Sequence, residues 1–469
     1  MTILKQDYDT LSNRGIIAHE THEFVLDNLN PIFKLRKYQK EALSRFIYYL
    51  NDDNQRIKPS QLLFQMATGS GKTLLMAANI IYLYNKGYRN FLFFVNNNNI
   101  LEKTKDNFLN LNSSKYLFNY KIKFGEKEVK INSVENFEEA NEEDINIIFT
   151  TIQGLYSKIT KPKENVMTYE DFLDYKLVIL SDEAHHINAW TRNNLSNKES
   201  EAKNTWEYVV TKIFNSNLEN IMLEYTATID LDHPAIYEKY KDKLIYDYSL
   251  KQFRQDKYSK EVIVLEADLD NIDRMVQAVI LSQYRRKIAE NNRIKLKPVI
   301  LFKSKSIAES EQNYNQFIEK IKTLNEGDIN KIESLNADNI IEIAFNYFKN
   351  QNISNDNLIT ELKEEFSDEK CIILDSINIP GDDQLSLNSL EDDDNLIRAI
   401  FAVKMLDEGW DVLNLFDIVR LYDTRDGKWL RDGTYRPGST TLSEVQLIGR
   451  GARYYPFKLT DEDDKFKRK

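Results

Sequence analysis

Met66-Ala67-Thr68-Gly69-Ser70-Gly71-Lys72-Thr73 holds residue types that bind phosphate, and Asp182-Glu183-Ala184-His185 follows it on a later apolar segment. Glycines let successive backbone N–H groups turn onto phosphate oxygens, and a helix opening at the loop adds the positive end of its dipole. Thr68, Gly69, Ser70 and Gly71 would form that cradle. Lys72 would reach the β/γ-phosphates, and the Thr73 hydroxyl would ligate Mg²⁺. The usual first glycine is Met66 here, so the pattern departs at one position. A glycine-rich turn alone is ordinary loop punctuation. Gly-x-Gly-Lys-Thr between a strand and a helix is far more specific.

Leu177-Val178-Ile179-Leu180 is a continuous apolar run, as expected of a parallel strand buried on both faces. It delivers Asp182 and Glu183 at its C-terminal end, where ligands of open α/β sheets collect. Asp182 can hold Mg²⁺ through water, and Glu183 can orient and deprotonate an attacking water. Alone, Asp-Glu is a solvated turn; with Lys72-Thr73 it makes a nucleoside-triphosphatase site. His185 and His186 have no further His or Cys pair at ligand spacing, which favours a coupling role for His185 over a zinc site.

Other segments add to the set. Leu35-Arg36-Lys37-Tyr38-Gln39 opens a helix upstream of the loop, and Gln39 carries a donor and an acceptor that suit the edge of adenine. Tyr225-Thr226-Ala227-Thr228 ends a strand with two hydroxyls. Lys404 to Asp411 follows another apolar strand; Gly409 lies in this segment, and Asp411 can accept hydrogen bonds from a ribose. Gln446-Leu447-Ile448-Gly449-Arg450-Gly451-Ala452-Arg453 sets two arginines three apart, on one face of a helix. Permanently charged forks of this kind suit the charge that develops on a transferring phosphoryl group.

Short apolar strands alternating with helical stretches must position these groups, which argues for parallel α/β layers. Strands are expected at Leu62–Gln65, Phe91–Val95, Ile147–Thr150, Leu177–Leu180 and Ile221–Tyr225, and again at Val299–Phe302, Cys371–Leu374, Ala399–Val403 and Ile418–Leu421. Asp230 to Lys260 reads as a polar, helix-rich junction. Asn188–Asn217 and Glu309–Lys370 read as insertions, the latter helical in period and of no assigned chemistry. Glu261 to Glu266 reads as an edge strand.

The chain's 469 residues are 42% hydrophobic and 29% charged, enough for two or three globular domains with a real core. No apolar run nears the roughly 20 residues of a membrane span. The first residues lack an apolar signal core. The single cysteine, Cys371, cannot make an internal disulfide and fits a reducing cytoplasm. A net charge of −11 argues against gripping nucleic acid by bulk positive potential, yet leaves open a groove of local lysines, hydroxyls and amides.

In this order the segments resemble the motif series of superfamily 2 DEAD/DEAH-box helicases and translocases, from Leu35 to Arg453. Within that superfamily the chain looks most like the helicase (Res) subunit of type III restriction enzymes. Leu180-Ser181-Asp182-Glu183-Ala184-His185-His186, Leu223 to Thr228 and Val403 to Val412 carry the likeness. The resemblance implies an α/β fold of two tandem RecA-like parallel-sheet domains with helical insertions. An ATP-binding domain would span 1–240, and a second domain 241–469 with an insertion at about 309–370. ATP and Mg²⁺ would lie between the domains, with nucleic acid across their tops. By the same resemblance Thr226 and Thr228 couple hydrolysis to strand movement, Arg450 and Arg453 act as arginine fingers, and Gln446 lies near the attacking water. Asn96 to Asn99, Thr150 and Thr151 fall where the family contacts the sugar-phosphate backbone. Type III subunits carry a nuclease domain after this core, and no Asp…Glu-x-Lys cluster is found here, so DNA cutting by this chain is not expected. The leading expectation is an ATP-dependent DNA helicase or translocase in a restriction or phage-defence assembly, with a nuclease or methyltransferase subunit as partner. An RNA-directed remodeller and an ATP-gated scaffold for a partner protein remain alternatives.

Overall fold

The computed structural model describes residues 4–18, 21–52, 56–138, 140–160, 172–182, 197–265, 269–334, 339–374, 386–387, 389–403, 412–422, 428–429, 435–436 and 447–453. Two units divide the chain, Met1–Phe253 and Arg254–Lys469.

In the first unit the strands are β1 (Ser60–Met66), β2 (Asn90–Val95), β3 (Ile122–Phe124), β4 (Lys127–Val129), β5 (Ile131–Ser133), β6 (Ile145–Thr151), β7 (Leu177–Asp182), β8 (Ile221–Thr226) and β9 (Leu244–Tyr248). The helices are α1 (Leu4–Asn13), α2 (Glu23–Asn28), α3 (Lys37–Asn51), α4 (Lys72–Asn85), α5 (Asn98–Leu109), α6 (Ile152–Thr160), α7 (Asn197–Phe214), α8 (Pro234–Tyr240) and α9 (Leu250–Gln255), the last running across the boundary. Seven strands form one parallel sheet in the order β5-β6-β2-β7-β8-β1-β9, while β3 and β4 make a separate antiparallel hairpin. Phe91–Val95 and Leu177–Ser181 are buried at every residue, so their unbroken apolar runs are covered on both faces. Helix α4 is buried from Leu74 through Tyr84 and apolar on all sides, as a helix enclosed by other layers must be.

The second unit holds β10 (Val299–Lys303), β11 (Cys371–Leu374), β12 (Ala399–Ala402) and β13 (Leu415–Arg420), parallel throughout in the order β11-β12-β10-β13. Helix α10 (Asn271–Asn291) precedes the sheet. Between β10 and β11 run α11 (Ile307–Thr323), α12 (Glu326–Ser334), α13 (Asn339–Asn350) and α14 (Asn355–Glu365), so the stretch from 309 to 370 is helical as expected. Side-chain caps start three of these helices: Asp270, Ser306 and Ser354 accept from the N–H groups of Asp273, Glu309 and Asn357. The insertion is part of the core. Phe317 packs 5.3 Å from both Phe302 and Phe401 of the sheet. Arg398 is buried beside it, donating to the Pro298 carbonyl at 2.9 Å and the Ser282 hydroxyl at 3.2 Å while paired with Glu365.

Two strand expectations need correction. Leu244–Tyr248, taken into the polar junction, is the seventh strand of the first sheet and pairs with β1. Glu261–Leu265 has no strand partner among the described residues, and Ile263 and Val264 are exposed. Alternation of side chains suits that stretch to a sheet edge, but among the described residues no strand edge meets it.

Candidate nucleotide site

Strand β1 ends at Met66, and the chain enters a loop in which Gly69 and Gly71 take φ of 78° and 82°. A side chain is disfavoured there on steric grounds. At Gly71 a Cβ would also lie 2.5 Å from Gln39 Nε2, so a side chain there would have to displace the Gln39 amide. Four contacts brace the loop. Ala67 N–H donates to the Tyr248 carbonyl at 2.9 Å, and Ser70 N–H to the Ala67 carbonyl at 3.1 Å. The Tyr38 hydroxyl donates to the Ser70 carbonyl at 2.7 Å, and Gln39 Nε2 donates to the same oxygen at 3.0 Å. Tyr38 stacks on Tyr248 with ring centroids 4.1 Å apart, which locks α3 to β9 beneath the loop.

Lys72 opens α4 and reaches back over the loop, its Nζ 3.4 Å from the Met66 carbonyl. Thr73 follows it in the first helical turn. The Ser70 hydroxyl is buried with no hydrogen-bond partner among the described residues. A phosphate chain fits this cradle: left-handed glycines clear the space, helix N–H groups open onto it, and a lysine stands at its rim.

Gln39 was expected to present its amide to adenine. Here Oε1 accepts from Arg36 N–H at 2.8 Å, and Nε2 serves the Ser70 and Gly71 carbonyls. The side chain is 3% exposed, so it helps to shape the loop itself.

The parallel registers gather the remaining groups of this unit at one sheet edge. Asp182 stands opposite Tyr225, Thr226 opposite Gln65, and Thr151 opposite Val95. All three residues lie at the C-terminal ends of their strands, the end from which the loop after Met66 also leaves. Thr226 Oγ1 donates to the Thr228 carbonyl at 2.8 Å and accepts from Thr228 N–H at 3.3 Å, closing a small turn. Asn79 of α4 donates to the Tyr225 hydroxyl at 2.6 Å. Burial first, and then the Asp182 charge, raise the Tyr225 hydroxyl far above the usual phenol range, so it stays protonated. Thr151 Oγ1 accepts from Gly154 N–H at 3.0 Å where α6 begins, and Gln153 Nε2 donates to Asn96 Oδ1 at 2.9 Å. Asn96 and Thr151 thus sit on adjoining segments of that edge.

Sequence reasoning missed the roles of Tyr38, Tyr248 and Asn79: Tyr38 stands in the segment that ends at Gln39 without being singled out there, and Tyr248 and Asn79 belong to no recognisable local pattern. Glu183, His185, Gly409, Asp411 and Gln446 lie outside the described residues. In the second unit Arg450 occupies a helical turn over 447–451. Arg453 does not share a helix face with it. The turn ends at Gly451, and Arg453 forms a β-bridge with Ser259. The break has a local cause: Lys260 N–H takes up the Ala452 carbonyl, which a continuing helix would need.

Among the described residues no group of His, Cys, Asp and Glu is arranged to hold a metal ion by itself, and no helix is long and apolar enough to cross a membrane.

The family described as type III restriction enzyme, res subunit, matches residues 32–231, and a second, described only as an N-terminal region, matches residues 440–469. A Haemophilus influenzae protein described as "Probable type III restriction-modification enzyme HindVIP Res subunit" is 38% identical over an alignment of 451 positions, with 86% of each chain covered. Two solved structures are also similar. A fragment structure described as an HsdR subunit of a type I restriction enzyme from Vibrio vulnificus gives a TM-score of 0.48 at 14% identity, covering 95% of this chain and 65% of that one. The ATP-dependent Type ISP restriction-modification enzyme LlaBIII bound to DNA gives 0.47 at 15% identity, covering 90% and 27%.

Proposed function

From the premise that this chain belongs to the family of type III restriction enzyme Res subunits, which are helicase-like, we propose that it is a nucleic-acid-dependent ATPase that moves along DNA. Loop amides from Thr68 to Gly71 bind phosphate oxygens together with Lys72. Thr73 and Asp182 hold Mg²⁺, which supplies neutralising charge on the phosphates. Glu183 takes the proton of the attacking water, Gln446 orients that water, and Arg450 with Arg453 stabilises the charge that builds on the transferred group. Gly409 and Asp411 hold the nucleoside, while Gln39 braces the loop that binds the phosphates. His185, Thr226 and Thr228 pass the hydrolysis state to the nucleic-acid contacts, among them Thr151.

One observation carries this reading. The braced Gly69–Thr73 loop, Asp182 and Thr226 all stand at the C-terminal edge of one parallel sheet. A restriction or phage-defence complex, with a nuclease or methyltransferase subunit as partner, is the setting we propose. DNA is favoured over RNA because the family acts in restriction.

Steady-state ATP hydrolysis by the full chain, with single-stranded DNA, duplex DNA and RNA of equal length, tests it. DNA should raise the rate more than RNA, and Lys72→Ala, Glu183→Gln and Arg450→Ala should each lower it by about 10²-fold or more. Equal rates for Glu183→Gln and wild type would remove Glu183 from the mechanism. No stimulation by any nucleic acid would replace the motor with a nucleotide-gated scaffold.

A further inference from the structure

Lys260 lies beneath the arginine segment of the second unit. Its Nζ donates to three backbone carbonyls: Leu413 at 2.7 Å, Leu415 at 2.9 Å and Gly451 at 3.0 Å. An ammonium has three N–H donors and no acceptor, so these carbonyls use its whole capacity. The Phe416 ring covers it, with the centroid 3.9 Å from Nζ. Its own N–H meets the Ala452 carbonyl, and the preceding Ser259 bridges Arg453. Leu413 and Leu415 lead into β13, while Gly451 ends the turn bearing Arg450. One half-buried side chain therefore ties the base of β13 to the segment that carries both arginines.

We propose that Lys260 is a positioning residue for phosphoryl transfer, holding Arg450 and Arg453 in register through the Gly451 and Ala452 carbonyls. This rests on the nucleotide-hydrolysis reading above. A solvated lysine would serve no such end, and a purely packing role would call for an apolar residue, which avoids the cost of burying charge.

The charged groups that act on the ammonium are Asp417 on β13, Arg285 on α10, Arg453 and Glu391. Burial pushes Lys260 down to about 7; Arg285 and Arg453 add to the fall, and Asp417 and Glu391 oppose it. Above that pH the amine keeps two N–H groups, and one of the three carbonyls loses its donor.

The test is a double-mutant cycle on the full chain, reading ATP turnover with single-stranded DNA. Lys260→Met should lower kcat by about tenfold or more while KM for ATP moves less than about twofold, and adding it to Arg450→Ala should cost clearly less than the product of the two single effects. Lys260→Gln retains two donors and should recover part of kcat. It should also lack the decline in wild-type kcat as pH rises through about 7. If Lys260→Met does not fold, the cycle runs with Lys260→Gln against Arg450→Ala. Losses that multiply, or a Lys260 variant with wild-type kcat beside an impaired Arg450→Ala, would overturn the lysine proposal alone. An Arg450→Ala protein that turns over like wild type would bring down the arginine assignment, and this proposal with it.

Discussion

Asn79 donates from Nδ2 to the hydroxyl of Tyr225 at 2.6 Å, joining the helix after the Gly69–Gly71 loop to the strand that runs into Thr226-Ala227-Thr228. Both side chains are fully buried, and Tyr225 stacks on Phe64 of β1 with centroids 5.1 Å apart. Strand, loop helix and hydroxyl turn are therefore one mechanical piece. A shift of α4 relative to β8 must break this bond or carry Tyr225 with it.

Tyr225→Phe removes the acceptor and keeps the ring. The Asn79 amide is then buried without a partner, at a cost of about 1–3 kcal/mol. Denaturant unfolding should register that loss. An unchanged midpoint would mean that the bond contributes nothing.

Gly71→Ala meets two obstacles, a left-handed backbone and the Gln39 amide 2.5 Å from the new methyl. The backbone term alone is about 1–2 kcal/mol. Displacing Gln39 also frees the Ser70 carbonyl from one of its donors. Affinity for a fluorescent ATP analogue should fall by about tenfold or more, the equivalent of about 1.4 kcal/mol. Binding at wild-type strength would show that the loop tolerates a rearranged Gln39.

Glu224 titrates inside the first unit. Its oxygens accept from Gln61 Nε2 at 2.6 Å and the Tyr240 hydroxyl at 3.0 Å. Burial lifts its carboxyl above the usual carboxylate range, against the Lys239 charge and these two hydrogen bonds, which lower it. The folded chain thus holds this proton more tightly than the unfolded one. The group's contribution to stability is present in acid and is lost as pH rises from the ordinary carboxylate range through the folded value. Glu224→Gln keeps an oxygen for Gln61 and turns an amide to Tyr240. Its melting temperature should exceed that of wild type near neutral pH, by roughly 2–4 °C per kcal/mol recovered, and the gap should close in acid. A gap independent of pH would exclude the carboxyl as its source.

Much of the framework is legible in the sequence because parallel strands buried on both faces leave unbroken apolar runs, as at Phe91–Val95 and Leu177–Leu180. Leu244-Ile245-Tyr246-Asp247-Tyr248 escapes that test. It is short, interrupted by Asp247, and stabilised by distant partners: β1 on one side and Arg45, whose guanidinium lies 5.1 Å from the Tyr246 ring centroid. Glu261–Leu265 shows the converse, since strand-like residues without an available edge make no strand. At the site, the glycine spacing is local and therefore readable. The braces are not. Tyr38 and Tyr248, Gln39 and Ser70, or Lys260 and Gly451 are far apart in the chain, and only the fold makes them neighbours.

The family match ends at residue 231, but the sheet that carries the Gly69–Gly71 loop is completed by Leu244–Tyr248. A polypeptide truncated there would bare the outer row of N–H and C=O groups on β1 from Leu63 to Met66. It would also strip Ala67 of the carbonyl it holds on Tyr248. A naked edge of that kind invites strand addition from a second copy and, with it, aggregation. The smallest piece able to fold as this lobe therefore extends past β9, and a fragment cut at the end of that family match would be too short.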